Sequence, residues 1–295
     1  MLTNLYRIAE LPVRISFEDS TENGVSLIPS LEPFRWNGEE GELFFWMHVD
    51  NHLSIISQDK CERIRDVDTG NGITSVDSLQ DGGYQFLIRD VTGNACCLLQ
   101  TDKDFQDCHC ALRGNYGMRT FGLNNALMLI FAFAGSQRET LLIHASLVRN
   151  EGVGYAFTAK SGTGKSTHVN MWLQNIPNCD LMNDDNPIIR IQNGQAFIYG
   201  SPWSGKTPCY RNIKAPLGAI TLIERAQSNF VTRNTTIEAF TTLLTACSTM
   251  KWDERLYSNI CSLITKLIET VPNYTLHCLP NKEAALVCHK AIATK

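Results

Sequence analysis

The feature that most constrains this chain is a Gly-rich segment between an apolar, strand-like run (Val153 to Phe157) and a helix-like run (His168 to Leu173). In such a loop, consecutive backbone N–H groups close around phosphate oxygens, a lysine adds positive charge, and a hydroxyl can bind Mg²⁺. The sequence therefore predicts a site for ATP, or another nucleoside triphosphate, with Mg²⁺. Its residues are Ala159, Lys160, Ser161, Gly162, Thr163, Gly164, Lys165, Ser166 and Thr167.

Two adjacent carboxylates follow this loop. Asp184 and Asp185 lie 19 and 20 residues after Lys165 and directly precede Asn186 and Pro187. Carboxylates beside a triphosphate can hold Mg²⁺ or take a proton from an attacking hydroxyl. The same residues are also typical of a solvated turn. Their distance from the Gly-rich loop favours the functional interpretation.

A histidine precedes the loop in a run that reads as a buried strand, Leu141 to Val148. A lone histidine in such a strand is more often a core residue than a catalytic one. The turn at Glu151 and Gly152 leads back into the strand before the loop, so the hairpin would bring His144 beside the phosphates.

The order His-Ala-Ser at 144–146, the Gly-rich loop and then the aspartate pair resembles the C-terminal catalytic domain of HPr kinase/phosphorylase. Beyond that family it resembles the nucleotide half of ATP-dependent phosphoenolpyruvate carboxykinase. Stand-alone HPr-kinase-like proteins also carry a Gly-x-Pro-Trp-x-Gly-Lys stretch, which this chain has at 200–206. The resemblance covers about residues 122 to 292.

The resemblance implies roles for individual residues. Asp184 would be the catalytic base, Ser166 and Asp185 would bind the metal, and His144 would support the reacting phosphate. The chain departs from the kinase pattern at Thr167, where that family has Glu. It also has the sequence 216–220 in place of a later Glu-x-Arg-Gly signature. These departures count against HPr itself as the acceptor.

The segment around Trp203 supplies two further candidate catalytic residues, Lys206 and Arg211. Either cation could neutralise charge on a transferring phosphoryl group. The alternative is a surface loop with one buried tryptophan. We favour Lys206 over Arg211 because it lies in the Gly-rich part of the segment.

Composition narrows the class of protein. A net charge of −4 over 295 residues provides no basic footprint for nucleic acid. The longest apolar run, Ala126 to Ala134, falls far short of the roughly 20 residues that span a bilayer. We expect a cytoplasmic protein that binds neither nucleic acid nor membrane. The 11 cysteines form no C-x-x-C pair, which predicts reduced thiols, with a soft-metal site at Cys108-His109-Cys110 as the weaker alternative.

The chain reads as two parts. Residues 1–120 are strand-like and rich in turns, which predicts a β-rich N-terminal domain of unknown role. Residues 121–295 form the predicted nucleotide-binding domain, which starts with a buried helix at Gly122 to Ala134. Asn193-Gly194 between two β-prone runs predicts a hairpin, and helical periodicity at 235–247 and 253–269 predicts two helices. The expected fold class is α/β (α+β), with a P-loop domain of the carboxykinase and HPr kinase type.

We therefore predict an ATP-dependent phosphotransferase, a kinase that acts on a hydroxyl group, with a serine or threonine of a peptide or protein partner as acceptor. A homo-oligomer is compatible with the sequence. One alternative is a catalytically inactive nucleotide-binding regulator or adaptor. A carboxykinase-like enzyme or a small-molecule kinase is the other.

Overall fold

The computed structural model describes residues 1–18, 21–39, 41–160 and 162–293. The chain divides into two compact units, Met1–Ala134 and Gly135–Lys295. The boundary expected from the sequence, 120/121, falls inside a helix at Tyr116–Gly135. Ser161, one of the predicted loop residues, lies outside the described residues. No helix among the described residues combines the length and apolar character needed to cross a membrane.

The first unit is built on one large sheet and a long helix. Its elements are β1 (Leu2–Ile8), β2 (Leu11–Phe17), β3 (Phe45–Val49), β4 (Cys61–Asp68), β5 (Gly72–Leu79), β6 (Tyr84–Asp90), β7 (Ala95–Thr101), β8 (Asp107–Leu112) and α1 (Tyr116–Gly135), with 3₁₀ turns at Val25–Leu27 and Pro29–Phe34. The strand order is β1-β2-β3-β8-β7-β6-β5-β4. β3 runs parallel to both β2 and β8, and the other pairs are antiparallel. The predicted strand-rich character of this part is confirmed.

Helix α1 covers one face of this sheet. The ring of Phe131 lies 5.2 Å from that of Phe44, and Phe133 lies 5.4 Å from Phe105. Gly122 allows the close approach, because a Cβ there would lie 2.7 Å from the backbone oxygen of Cys96. The apolar run recognised in the sequence is therefore the core-facing helix of the first unit.

The Cys108-His109-Cys110 triplet is divided between the two faces of β8. The thiols of Cys108 and Cys110 are fully buried, whereas the ring of His109 stacks on His48 with centroids 5.4 Å apart. Successive side chains of a strand point to opposite faces. The three side chains therefore cannot converge on one metal ion, and the soft-metal alternative is wrong.

The second unit carries the predicted site residues. Its elements are β9 (Thr140–Leu142), β10 (Ser146–Asn150), β11 (Val153–Thr158), α2 (Lys165–Asn175), β12 (Cys179–Asn183), β13 (Ile188–Gln192), β14 (Gln195–Tyr199), β15 (Lys214–Arg225), β16 (Phe230–Arg233), α3 (Thr236–Ala246), α4 (Glu254–Thr270), β17 (Asn273–Cys278) and α5 (Lys282–Ile292). The predicted hairpin (β13 and β14) and the two predicted helices (α3 and α4) are confirmed.

Helices cover both faces of the sheet in this unit. The order is β12-β10-β11-β15-β14-β13-β9, with β17 beside β15 and β16 beside β17. Residues of α3 and α4, such as Leu243 and Ile260, belong to one apolar cluster, and residues of α2 and α5, such as Trp172 and Cys288, belong to another. The structure is thus mixed α and β with large sheets, as the predicted fold class requires.

The continuous strand expected at Leu141 to Val148 is wrong, because the chain leaves the strand between β9 and β10. The backbone N–H of His144 donates to Ala246 O (2.7 Å), and that of Ala145 donates to Asp185 O (2.9 Å). β9 pairs with β13, whereas β10 pairs with β11 and β12. The break therefore lets the chain change partners, and it leaves the His144 side chain 46% exposed rather than buried.

Candidate functional site

Strand direction brings the predicted residues together. β10 runs antiparallel to both β11 and β12, with Ser146 opposite Phe157 and Leu147 opposite Asn183. The start of β10 therefore lies beside the ends of its two neighbours. His144 precedes β10, the Gly-rich loop follows β11, and the aspartates follow β12, so all three meet at one edge of the sheet.

Asp184 is the buried member of the aspartate pair, with 5% of its surface exposed. Ser146 Oγ donates to Asp184 Oδ1 (2.9 Å), and Ser166 Oγ donates to Asp184 Oδ2 (3.4 Å). A carboxylate is thus fixed beside the hydroxyl that ends the Gly-rich motif. Hydrogen bonds from hydroxyls satisfy both oxygens, as burial of a charged group requires.

Asp185 faces a different pair of side chains. Its Oδ1 lies 3.3 Å from His144 Nε2, which in turn lies 3.0 Å from Lys165 Nζ. Burial lowers the pKa of Lys165, while the charges of Asp185 and Asp184 act against that shift. The two aspartates therefore contact different groups: Asp184 accepts from the hydroxyls of Ser146 and Ser166, whereas Asp185 contacts the imidazole of His144.

The Trp203 segment is anchored at the same strand end. Asn183 Nδ2 donates to Ser201 Oγ and to Trp203 O, both at 3.1 Å, while its Oδ1 accepts from the backbone N–H of Asp185 (2.9 Å). A Cβ at Gly205 would lie 3.0 Å from Asp184 O and 3.4 Å from Asp185 Cβ. The Gly-rich part of this segment therefore lies directly against the aspartate pair.

The two candidate cations of this segment lie in different places. Lys206 is exposed and adjoins Gly205, beside the aspartates. Arg211 instead donates to Asp180 Oδ2 (2.6 Å) and to Leu181 O, at the opposite end of β12. Arg149 makes a bidentate contact with the same carboxylate: its Nε donates to Asp180 Oδ1 (3.0 Å) and its Nη2 donates to Asp180 Oδ2 (2.9 Å). The backbone next to Lys206 thus lies at the edge that carries the aspartates, whereas the guanidinium of Arg211 is held by Asp180.

Asp180 holds both arginines. Burial raises the pKa of Asp180, but hydrogen bonds from Arg149 and Arg211 outweigh this effect and place the pKa below its usual value. The carboxylate therefore stays charged between the two guanidinium groups. Because this network joins β12, β10 and the segment after Trp203, its role is to hold the edge strand in place.

An arginine outside the predicted set holds the Gly-rich loop. Arg225, the last residue of β15, donates from Nη2 to Gly162 O (2.7 Å) and from Nε to Thr163 O (3.2 Å). Gly162 and Gly164 have φ values of 74° and 127°, which side-chain-bearing residues rarely adopt. Gly162 and Gly164 thus allow the backbone conformation of the loop, and two hydrogen bonds from the Arg225 guanidinium hold it in place.

Among the described residues, no group of three or more His, Cys, Asp or Glu side chains is arranged to hold a metal ion. At a nucleotide site, Mg²⁺ is usually bound by one or two protein oxygens together with substrate phosphates and water. Ser166 Oγ and Asp184 Oδ2 provide two such oxygens 3.4 Å apart. The donor set therefore fits this ion.

Sequence reasoning misses three residues that shape the site: Ser146, Asn183 and Arg225. Ser146 stands in the His-Ala-Ser signature, so its position could have suggested a contact with the carboxylates. Asn183 and Arg225 carry no local pattern. Their importance depends on which strand ends become neighbours, which spacing alone does not give.

Comparison with known proteins finds matches among solved structures alone. No family model and no curated protein matches the chain. Among solved structures, the Hpr(Ser) kinase/phosphatase from Coxiella burnetii aligns with a TM-score of 0.31 and 9% identity, over 50% of this chain and 86% of that one. A structural similarity this weak defines neither the fold nor the function of this chain.

Proposed function

We propose that the protein is a Mg²⁺-dependent phosphotransferase that moves the terminal phosphoryl group of a nucleoside triphosphate to a hydroxyl. The observation that carries this proposal is the convergence of Lys165, Ser166, Asp184, Asp185 and His144 at one edge of the sheet. A phosphate-binding loop, hydroxyl and carboxylate oxygens for a metal, and a separate carboxylate beside a histidine are the parts that such a transfer uses.

Ser166 and Asp184 would hold the ion. When bound, Mg²⁺ neutralises charge on the outer phosphates. The hydrogen bond from Ser146 supports this role, because it fixes the orientation of the Asp184 carboxylate. Lys165 would place its ammonium on the same phosphates, and the backbone N–H groups of the Gly-rich loop would surround them.

Asp185 would then act on the acceptor. It would take the proton from the attacking hydroxyl as the acceptor oxygen bonds to the γ-phosphorus and the bond to the nucleoside diphosphate breaks. Proximity to His144 supports this role: once Lys165 turned to the phosphates, His144 Nε2 would be released to donate to the carboxylate and orient it. The sequence assigned the base to Asp184 and the metal to Asp185. The contacts with Ser166 and His144 favour the exchanged assignment.

The Trp203 segment would receive the acceptor. Gly205 lies against the aspartate pair, and Lys206 next to it could neutralise the transferring phosphoryl group. Lys206 is exposed and Asp185 is half-buried, which supports a macromolecular acceptor, because an accessible edge can receive a serine or threonine on a peptide or protein. Arg211, occupied by Asp180, would support the segment without contacting the acceptor.

The two aspartates can be tested separately. Wild type, Asp184→Asn and Asp185→Asn would be incubated with Mg²⁺, γ-labelled ATP and a degenerate library of serine- and threonine-containing peptides. ATP affinity would be measured by calorimetry with and without Mg²⁺. Asp185→Asn should bind Mg²⁺-ATP normally and lose label transfer by roughly 10² or more, as expected for a lost general base. Asp184→Asn should lose the Mg²⁺ dependence of binding.

Other outcomes have definite meanings. The opposite pattern would restore the assignment made from the sequence and leave the phosphotransferase proposal intact. Full transfer by both variants would remove the pair from the site. Wild-type protein that binds Mg²⁺-ATP but forms neither labelled peptide nor ADP would contradict phosphoryl transfer and support a nucleotide-binding regulator.

A further inference from the structure

A pocket of 430 Å³ lies beside the Gly-rich loop. Its walls come from the loop itself, the first turns of α2, the end of β15 and the segment that follows β17. Apolar side chains predominate, including Met171, Ile223 and Leu279. The lining also has polar side chains, those of Thr163, Thr167, Arg225 and Asn281. None of the aspartates lines this pocket, so it is a separate compartment that shares the loop with the proposed catalytic edge.

One polar ring, that of His168, lines this otherwise largely apolar wall. The residue is 4% exposed and touches the ring of Phe157 edge-on, with centroids 4.8 Å apart. Trp172 Nε1 lies 2.9 Å from His168 Nε2. Because an indole N–H can only donate, His168 Nε2 must be the acceptor. The proton of the neutral imidazole therefore lies on Nδ1.

That Nδ1–H group has no hydrogen-bond acceptor among the residues that the structure describes. Because His168 lines the pocket, a ligand there can supply the missing acceptor. Packing between Phe157 and Trp172 restrains the ring, and a ring flip would break the bond from Trp172. The ring of His168 thus carries one oriented donor that no described residue matches, and an unmatched buried donor is costly.

We propose that this pocket receives the nucleoside of the triphosphate and that His168 Nδ1–H donates a hydrogen bond to an acceptor atom of the base. The inference rests on the proposed function, since the triphosphate would occupy the adjoining loop. A planar, largely apolar group with ring nitrogen or carbonyl acceptors suits both the apolar walls and the buried donor of His168. His168 would then be a specificity-determining residue that makes no contact with the phosphates.

Two substitutions separate the two nitrogens of this ring. In His168→Gln the amide lies near the former Nε2 position and can still accept from Trp172, but the Nδ1–H donor is lost. In His168→Asn the amide lies near the former Nδ1 position and can still donate into the pocket, but Trp172 loses its acceptor. The pair therefore tests the ligand contact independently of the internal hydrogen bond.

Two probes separate the nucleoside from the phosphates. ATP and inorganic tripolyphosphate, each with Mg²⁺, would be titrated calorimetrically into wild type and both variants, after circular dichroism has shown that they are folded. We expect His168→Gln to weaken ATP binding about tenfold, the effect of one lost hydrogen bond, and to leave tripolyphosphate affinity unchanged. His168→Asn should keep the wild-type preference for ATP but melt at a lower temperature.

The inference and the proposed function can fail separately. If wild type binds neither probe, the proposed function fails. If wild type binds ATP and tripolyphosphate equally, the nucleoside assignment is overturned while a phosphate site remains. The same holds if His168→Gln weakens the binding of both probes equally, or weakens the binding of neither probe. If the Gln variant does not fold, loss of the ATP preference in a folded Asn variant overturns the assignment, and retention of it supports the assignment.

Discussion

Lys165 should control nucleotide affinity. Replacing it with alanine removes a charge-assisted hydrogen bond to the outer phosphates, worth about 1.5–3 kcal/mol. Calorimetry should therefore show ATP binding weakened about tenfold or more. Lys251→Ala is the matched control, because its side chain is exposed and lies outside the Gly-rich loop. Equal ATP affinity in folded Lys165→Ala and wild type would end the phosphate-loop interpretation.

The buried His168 should make stability depend on pH. Burial lowers the pKa of His168 from 6.5 to about 4. Below about pH 6.5 the unfolded chain binds a proton that the folded chain does not take up until about pH 4. The free energy of unfolding should therefore fall as pH decreases through this window, by about 3 kcal/mol in total.

Urea denaturation at pH 7.5, 6.0 and 5.0 would measure this dependence. Other groups titrate in the same range, so the difference between wild type and His168→Gln isolates the contribution of the imidazole. Wild type should lose stability more steeply than the variant as pH decreases. Parallel pH profiles would mean that the imidazole titrates as freely in the folded protein as in the unfolded one.

Residues inside a local motif could be predicted from the sequence, and residues defined by tertiary neighbours could not. The loop from Ala159 to Thr167 and the aspartate pair are visible because spacing and residue type carry their chemistry. His168 looked like the first residue of an ordinary helix. Its significance depends on Trp172 one turn later and on the pocket beside it, which are facts of packing.

At the scale of elements, the Gly-rich loop depends on β15 through Arg225. Arg225→Lys keeps the charge but cannot supply two parallel N–H donors to Gly162 O and Thr163 O. We expect ATP affinity to fall severalfold, with a melting temperature close to that of wild type, because Arg225 is exposed. Arg233→Lys, at an exposed position on β16, is the control. Unchanged ATP affinity in Arg225→Lys would show that the glycines alone set the loop.

Elements with strong local signals were predicted well. Helix α4 and the β13–β14 hairpin follow from periodicity and from Asn193-Gly194, which are properties of the nearby sequence. The break at His144 was missed because its cause is distant: backbone acceptors on Ala246 and Asp185 hold the chain away from the strand. An apolar sequence with one histidine is compatible both with a continuous strand and with a strand that is broken at the histidine.

At the scale of the molecule, the site residues discussed above all lie in the second unit. A fragment of residues 135–293 should therefore fold and bind Mg²⁺-ATP with the affinity of the full chain. Calorimetry on both proteins, with circular dichroism as a check of folding, would measure this. A folded fragment with much weaker binding would show that the first unit supports the nucleotide site.

The division between the units was harder to predict than their character. The strand-like, turn-rich sequence up to residue 120 predicted the β-rich unit. The apolar run from Gly122 to Ala134 was assigned to the next domain. Helix α1 instead packs on the sheet of the first unit through Phe131 and Phe133. The sequence of an apolar helix does not show which sheet the helix packs on. The boundary between the two units therefore could not be predicted from the nearby sequence.

The antiparallel setting of β10 between β11 and β12 leaves the other end of these strands without catalytic groups. The connection there, Glu151 and Gly152, is an exposed tight turn in which a Cβ on Gly152 would meet no atom within 4 Å. The chain could therefore be opened at this turn. A circularly permuted protein, or one with a fluorescent reporter inserted at the turn, should keep the proposed phosphotransferase activity. The fluorescence of such a reporter would then allow nucleotide binding to be measured.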